Sequence, residues 1–168
     1  MTKSLTILLV VAALSVSACS NKNRFGADGG AGAGGAYGTN GSPSDPHSIA
    51  YFNETIGDRV LFSVDQSTLS DAARATLDGQ ARWLIANPEF SATIEGHADE
   101  QGTREYNLAL GARRANAVDE YLVSRGISPA RLKTVSYGKE RPLAICSEES
   151  CYAKNRRAVT VVTAGAGM

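Results

Sequence analysis

The first apolar stretch of the chain covers residues 5–14, after a single basic residue, Lys3, and before the small residues Val16, Ser17 and Ala18 and then Cys19. Charge, apolar core and small residues in that order make a secretory signal. The run is too short for a membrane-spanning helix, which needs about 20 apolar residues. Residues 1–18 are therefore expected to be a signal peptide. Beyond it the apolar pattern disappears: from Ser20 to about Pro46 the chain is mostly Gly, Ala, Ser and Asn, centred on the run Gly29-Gly30-Ala31-Gly32-Ala33-Gly34-Gly35. Such a composition has too little to bury to repay the entropy of ordering, so residues 19–47 are expected to be a flexible tether. Some thirty residues of this kind span about 30 Å on average and about 100 Å when taut.

Regular patterning begins near residue 48 and predicts one domain over residues 48–168. Val60-Leu61-Phe62, within residues 58–64, reads as a strand. Ser70 and Asp71 offer a helix cap and a first-turn acid, Leu77, Ala81 and Leu84 follow at helical spacing, and Asn87-Pro88 stops the helix. Residues 91–95 alternate as a second strand, and residues 96–102 read as a polar loop. Thr103 caps a longer helix that ends at Gly126. Residues 132–137 and 159–163 read as the third and fourth strands, with a short helix near Tyr152. The expected fold is an α/β (α+β) sandwich, a mixed four-stranded sheet packed against two main helices.

Charge and cysteine usage narrow the partners. The full chain has 17 basic and 17 acidic residues, and loss of Lys3 with the signal leaves 16 against 17. This balance gives no support for nucleic acid or an anionic surface as partner. With Cys19 set aside, Cys146 and Cys151 remain. In an oxidising compartment they can close a short disulfide loop of about 2 kcal/mol, the alternative being two free thiols. A zinc site would have to draw on His47 and His97, neither of them near in sequence.

The long helix carries the chemistry. At about 100° per residue, Leu110, Ala117, Val118, Tyr121 and Leu122 form its apolar stripe, and Asn107 and Arg114 fall in the same arc while Arg113 points away. A buried cation needs a partner, and the preceding loop offers His97, Asp99 and Glu100. Two readings stand. Arg114 and Asp99 pair as a structural ion pair, or they stay apart and face a zwitterion, with Arg114 on a carboxylate, Asp99 on an ammonium and Asn107 at an amide. Asn155-Arg156-Arg157 is either a second carboxylate clamp or a solvated basic turn.

Several ordered blocks carry a family resemblance. Gly96-His97-Ala98-Asp99-Glu100-Gln101-Gly102-Thr103, Glu105-Tyr106-Asn107, Leu110-Gly111-Ala112-Arg113-Arg114-Ala115-Asn116-Ala117-Val118, Val135-Ser136-Tyr137-Gly138-Lys139-Glu140-Arg141-Pro142 and Asn155-Arg156-Arg157-Ala158-Val159 resemble, in order, the peptidoglycan-binding domain of the OmpA-like family. Val16-Ser17-Ala18-Cys19 resembles the bacterial lipobox, which implies a lipidated Cys19; the plainer reading is a cleaved signal with an incidental cysteine. Ser20 rather than Asp resembles lipoproteins sent to the outer membrane, which places the globular domain in the periplasm. More than one acyl chain makes such an anchor stable.

The resemblance implies a ligand, the diaminopimelate of uncrosslinked peptidoglycan stems, with Asp99 and Arg114 as main contacts and Asn107, Arg156, Phe62 and Asp65 at further matching positions. Ser63 and Gln66 depart from the family, which usually has an acid and often a lysine there, and the segment holding Cys146 and Cys151 is not general in it. The lipoprotein branch of the family further implies TolB and TolA as partners and a part in outer-membrane constriction at division. The alternative is a wall-binding lipoprotein outside the Tol assembly. No cofactor or metal is implied. An enzyme is disfavoured, because His97 is the only histidine of the domain and no G-x-S-x-G or H-E-x-x-H motif occurs.

Overall fold

The computed structural model describes residues 41–165. The expected signal peptide, Cys19 and the first part of the tether lie outside the described residues. Contacts to the domain begin ahead of Ser48, the expected boundary: Pro46 accepts a hydrogen bond from Trp83 Nε1 at 2.7 Å, and His47 Nδ1 lies 2.6 Å from Asn87 Oδ1. The Ser48 hydroxyl accepts from Tyr51 N and opens a helical segment that sequence pattern does not announce, α1 (Ile49–Tyr51) running into a π-helical turn (Phe52–Gly57). This segment inserts Phe52 into the core, where it is fully buried and its ring lies 4.9 Å from Trp83.

The expected elements follow in order. β1 (Arg59–Leu61) leads to α2 (Asp71–Ala86), capped by Ser70. β2 (Phe90–His97) leads to α3 (Arg104–Ser124), capped by Thr103. A 3-10 turn precedes β3 (Leu132–Gly138), and α4 (Glu149–Asn155) precedes β4 (Arg157–Ala164). The sheet order is β1-β4-β2-β3, with β2 and β3 parallel and the other pairs antiparallel. One core joins Leu77, Ala81 and Leu84 of α2, Val118 and Leu122 of α3, and Phe90, Ala92, Ile94 and Val162 of the sheet. Gln80 crosses this core and is fully satisfied at both ends, donating to Gly57 O at 2.7 Å and accepting from Thr160 Oγ1 at 2.8 Å.

Two departures from the sequence reading place the site. β1 ends at Leu61, and the chain turns away through Asp65 at φ 55°. β2 instead runs on through Gly96 and His97, which pair with both β3 and β4 rather than opening the loop. Gly96 is held there by close approach: a Cβ on it would lie 1.8 Å from Gly111 O, and one on Gly111 would lie 2.8 Å from Gly96 O. The backbones of α3 and β2 therefore touch. The buried stripe of α3 is accordingly Asn107, Leu110, Gly111, Arg114, Ala115, Val118 and Leu122, while Ala117 and Tyr121 are only half-buried.

The extension of β2 also buries His97, with both ring nitrogens unpartnered among the described residues and its ring 5.5 Å from that of Tyr137. Its Nε2 lies 3.7 Å from Glu95, which favours a proton. Burial outweighs that attraction, aided by the charges of Arg157 and Arg141, and pushes the imidazole down to about 4. The folded state thus keeps His97 neutral where the unfolded chain takes up a proton.

Two measurements follow from these contacts. Gly111→Ala would add about 1 kcal/mol of stability in an open helix but must here displace the β2 backbone; we expect a net loss of about 1–3 kcal/mol in denaturant unfolding. A gain would show that the helix-to-strand contact is not tight. For His97, stability is fully present above pH 6.5 and is lost as pH falls to about 4. His97→Phe should flatten that part of the profile, so the pH dependence of its stability relative to the parent isolates the histidine. Parallel profiles across the window would exclude it as the titrating group.

Candidate ligand-binding site

Three backbone segments meet at one end of the sheet: the loop after β1, the turn from β2 into α3, and the junction of α4 with β4. Arg114 joins the first two from the inside. It is fully buried, and its Nε, Nη1 and Nη2 donate to Gln66 O at 2.9 Å, His97 O at 2.8 Å and Ser63 O at 3.2 Å. Its guanidinium lies 5.3 Å from the centroid of the buried Phe62 ring. Burial pushes Arg114 down to about 10, against the pull of Asp99, so it remains a cation at neutral pH. A guanidinium has five N–H groups, so two are left by these three carbonyls.

Of the two readings of Arg114 and Asp99, the direct ion pair is not found among the described residues. Asp99 Oδ2 accepts from Arg156 Nη1 at 3.2 Å, and Asp99 Oδ1 accepts from Gln101 N at 3.2 Å. The two poles of the site stay apart, as the zwitterion reading requires. Asn107, fully buried on the first turn of α3, donates through Nδ2 to Gln101 O at 2.8 Å and so fixes the same turn, while its Oδ1 has no partner in the domain. Asp65 bonds to the Tyr106 hydroxyl across the mouth.

Between these groups lies a cavity of about 280 Å³, walled by Val64, Asp65, Asp99, Gln101, Tyr106 and Asn107 among others. Arg114 sits behind this wall. The loop 63–66 is tied to Arg114 through the backbone carbonyls of Ser63 and Gln66. A larger hollow of about 430 Å³ is lined by Asp78 and Arg125, already paired at 2.8 Å, and by Arg82, whose Nε donates to Asp78 O at 3.3 Å.

The Asn155-Arg156-Arg157 segment divides by role. Asn155 is spent on structure, accepting from Leu143 N and Ala144 N and donating to Ala144 O. Arg157 donates to Asn155 O and Arg141 O. Arg156 alone reaches the cavity's wall, through Asp99, and its Nε donates to Phe62 O at 3.2 Å. Its outer fork holds Glu149 of α4. Neither Glu149 nor Tyr106 is evident from sequence spacing: Tyr106 lies on the exposed side of α3, and Glu149 lies in the segment around the Cys146–Cys151 disulfide. Among the described residues no three His, Cys, Asp or Glu side chains gather into a metal-binding group.

The OmpA family profile matches residues 61–156, which include Phe62, Asp65, Asp99, Asn107, Arg114 and Arg156. A peptidoglycan-associated lipoprotein of Rhizobium meliloti is 49% identical over 162 residues, covering 96% of this chain and 88% of its own. One of Brucella melitensis is 49% identical over 157 residues, covering 92% and 88%. The crystal structure of the peptidoglycan-associated lipoprotein from Burkholderia pseudomallei superposes with a TM-score of 0.65 at 37% identity, covering 71% of this chain and all of that one. With the family profile, the long relatives and the superposed fold all in agreement, the chain belongs to the OmpA family, in the branch whose members are named peptidoglycan-associated lipoproteins.

Proposed function

We propose that the chain holds peptidoglycan without covalent attachment, by taking the diaminopimelate residue of an uncrosslinked stem into the cavity beside Asp99. The names of its relatives support the wall as target. The single observation that carries the ligand is the separation of charges: Asp99 lines the cavity and pairs with Arg156, while Arg114 stays apart from it and keeps two N–H groups beyond its three carbonyls, so that binding requires the loop 63–66 to move aside. In this reading Asp99 accepts from the ammonium of the ligand, Asn107 accepts from an amide N–H, and Arg114 takes the carboxylate. Phe62 supports Arg114 from below, and Asp65 releases Tyr106 as the loop opens. A lipid on Cys19 then ties the outer membrane to the wall over the length of the tether. Because tethering keeps the domain near its target, modest affinity is enough.

Membership of the Tol-Pal system, with TolB and TolA as partners and a part in constriction at division, belongs to the same proposal and rests on the family. Co-purification with TolB tests it separately from wall binding.

The wall reading is tested by calorimetry of the full chain in detergent with a diaminopimelate-containing muropeptide. Saturable binding is expected, weaker with a stem carrying lysine. Asp99→Ala should cost roughly 1.5–3 kcal/mol, more than tenfold in affinity, with the melting transition retained as a control for folding. Arg114→Lys keeps the buried charge but loses the fork, and should weaken binding similarly. A folded parent chain that binds neither muropeptide nor isolated sacculi would overturn the proposal.

A further inference from the structure

Arg156 is shared between two carboxylates, and the second of them lies outside the cavity. Asp99 takes one bond from Nη1 at 3.2 Å, while Glu149 takes both Nη1 and Nη2 in a fork. The Arg156 side chain is 6% exposed and that of Glu149 66%. The hydrogen bond to Arg156 holds the Glu149 carboxyl below the usual carboxylate range, so it is an anion at neutral pH. One cation between two anions leaves the trio with a net negative charge. Were Glu149 absent, Arg156 would be free to turn its fork on Asp99 and neutralise it.

The position of Glu149 depends on an unusual brace. It is the first residue of α4, a helix of seven residues with no side-chain cap and only Asn155 buried. A helix this short is not stable by itself. Asn155 secures its end through three bonds to residues 143 and 144, and the Cys146–Cys151 disulfide, which spans Glu149, secures its beginning.

We infer that Glu149, held by this disulfide, is a positioning residue that sets the site's preference for an amine-bearing ligand, by occupying the fork of Arg156 so that Asp99 takes only one bond from it and keeps lone pairs for an ammonium. The inference rests on the reading of Asp99 as the ammonium acceptor and adds a residue and a brace that act on it without touching the ligand. Glu149→Gln keeps the shape and one acceptor oxygen but removes the charge.

The test compares two ligands on the full chain in detergent: a peptide stem ending in diaminopimelate, and the same stem ending in 2-aminopimelate, which lacks the distal amine. The parent chain should prefer the amine-bearing stem. Glu149→Gln should reduce that preference about tenfold while changing affinity for the amine-free stem by less than about twofold. Glu149→Asp, which keeps the charge, should retain most of the preference. A Cys146→Ser, Cys151→Ser variant should shift in the same direction as Glu149→Gln. An equal loss for both stems in Glu149→Gln would reduce Glu149 to a structural role and overturn the inference while wall binding stands. An unchanged preference in the cysteine variant would remove the disulfide from it. A parent chain that binds neither stem would overturn the reading of the site and this inference together.

Discussion

The guanidinium of Arg114 is the group on which the binding end of the domain depends. A cation with no exposed surface is tolerated only when its surroundings replace the water it has lost, and here backbone carbonyls from two separate segments do so. The consequence runs both ways. Arg114 in turn ties the loop after β1, which has no regular structure of its own, to the end of β2. The arginine can do this from α3 because that helix lies so close to the sheet. Gly96 and Gly111 permit backbone contact, which brings the Arg114 side chain up to the end of β2 rather than leaving it above the sheet.

That same geometry explains why the opposite charges do not collapse onto one another. Arg114 already has three acceptors, and Asp99 is drawn the other way by Arg156 and by the amide of Gln101. A direct pair would be a closed unit with nothing to offer a ligand. Two half-satisfied poles, each held by backbone or by a second residue, can each still take a partner. The inter-pole space is then a property of the fold, fixed by α3 on one side and by the β4 junction on the other.

Much of this was legible in the sequence, for identifiable reasons. The caps at Ser70 and Thr103, the Leu77, Ala81, Leu84 spacing and the β-branched end of the chain specify local structure through local chemistry, and those elements form where expected. Placing Arg114 and Asn107 on the inward face of α3 also needed only the helical period. What was missed depends on tertiary contact. The true stripe of α3 is rotated towards Gly111 and Ala115, because glycine contributes no apolar signal although it permits the closest packing. The extension of β2 through His97 arises from pairing on both sides, which no single strand announces. The helical segment beginning at Ile49 is anchored by Phe52 against Trp83, residues far apart in the chain. The family resemblance nominated Asp99, Arg114 and Arg156 together, but only the structure assigns Arg156, not Arg114, as the partner of Asp99.

The unpartnered Oδ1 of Asn107 is a useful measure of what the domain tolerates at this end. A buried polar atom without a hydrogen bond costs about 1–3 kcal/mol, a sizeable share of the marginal stability of a domain of this kind. The buried amides of Gln80 and Asn155 avoid that cost: Gln80 is bonded at both ends, and Asn155 makes three bonds. Asn107, a residue lining the cavity, leaves its Oδ1 unpartnered among the described residues, while its Nδ2 holds the turn carrying Asp99. An amide that was merely structural could be replaced by one that points its free oxygen to solvent. The same end of the domain thus holds acceptors at Asn107 and Asp99 and donors at the buried Arg114. The proposed zwitterionic ligand suits this arrangement because it would bring a donor to Asp99 and Asn107 and an acceptor to Arg114.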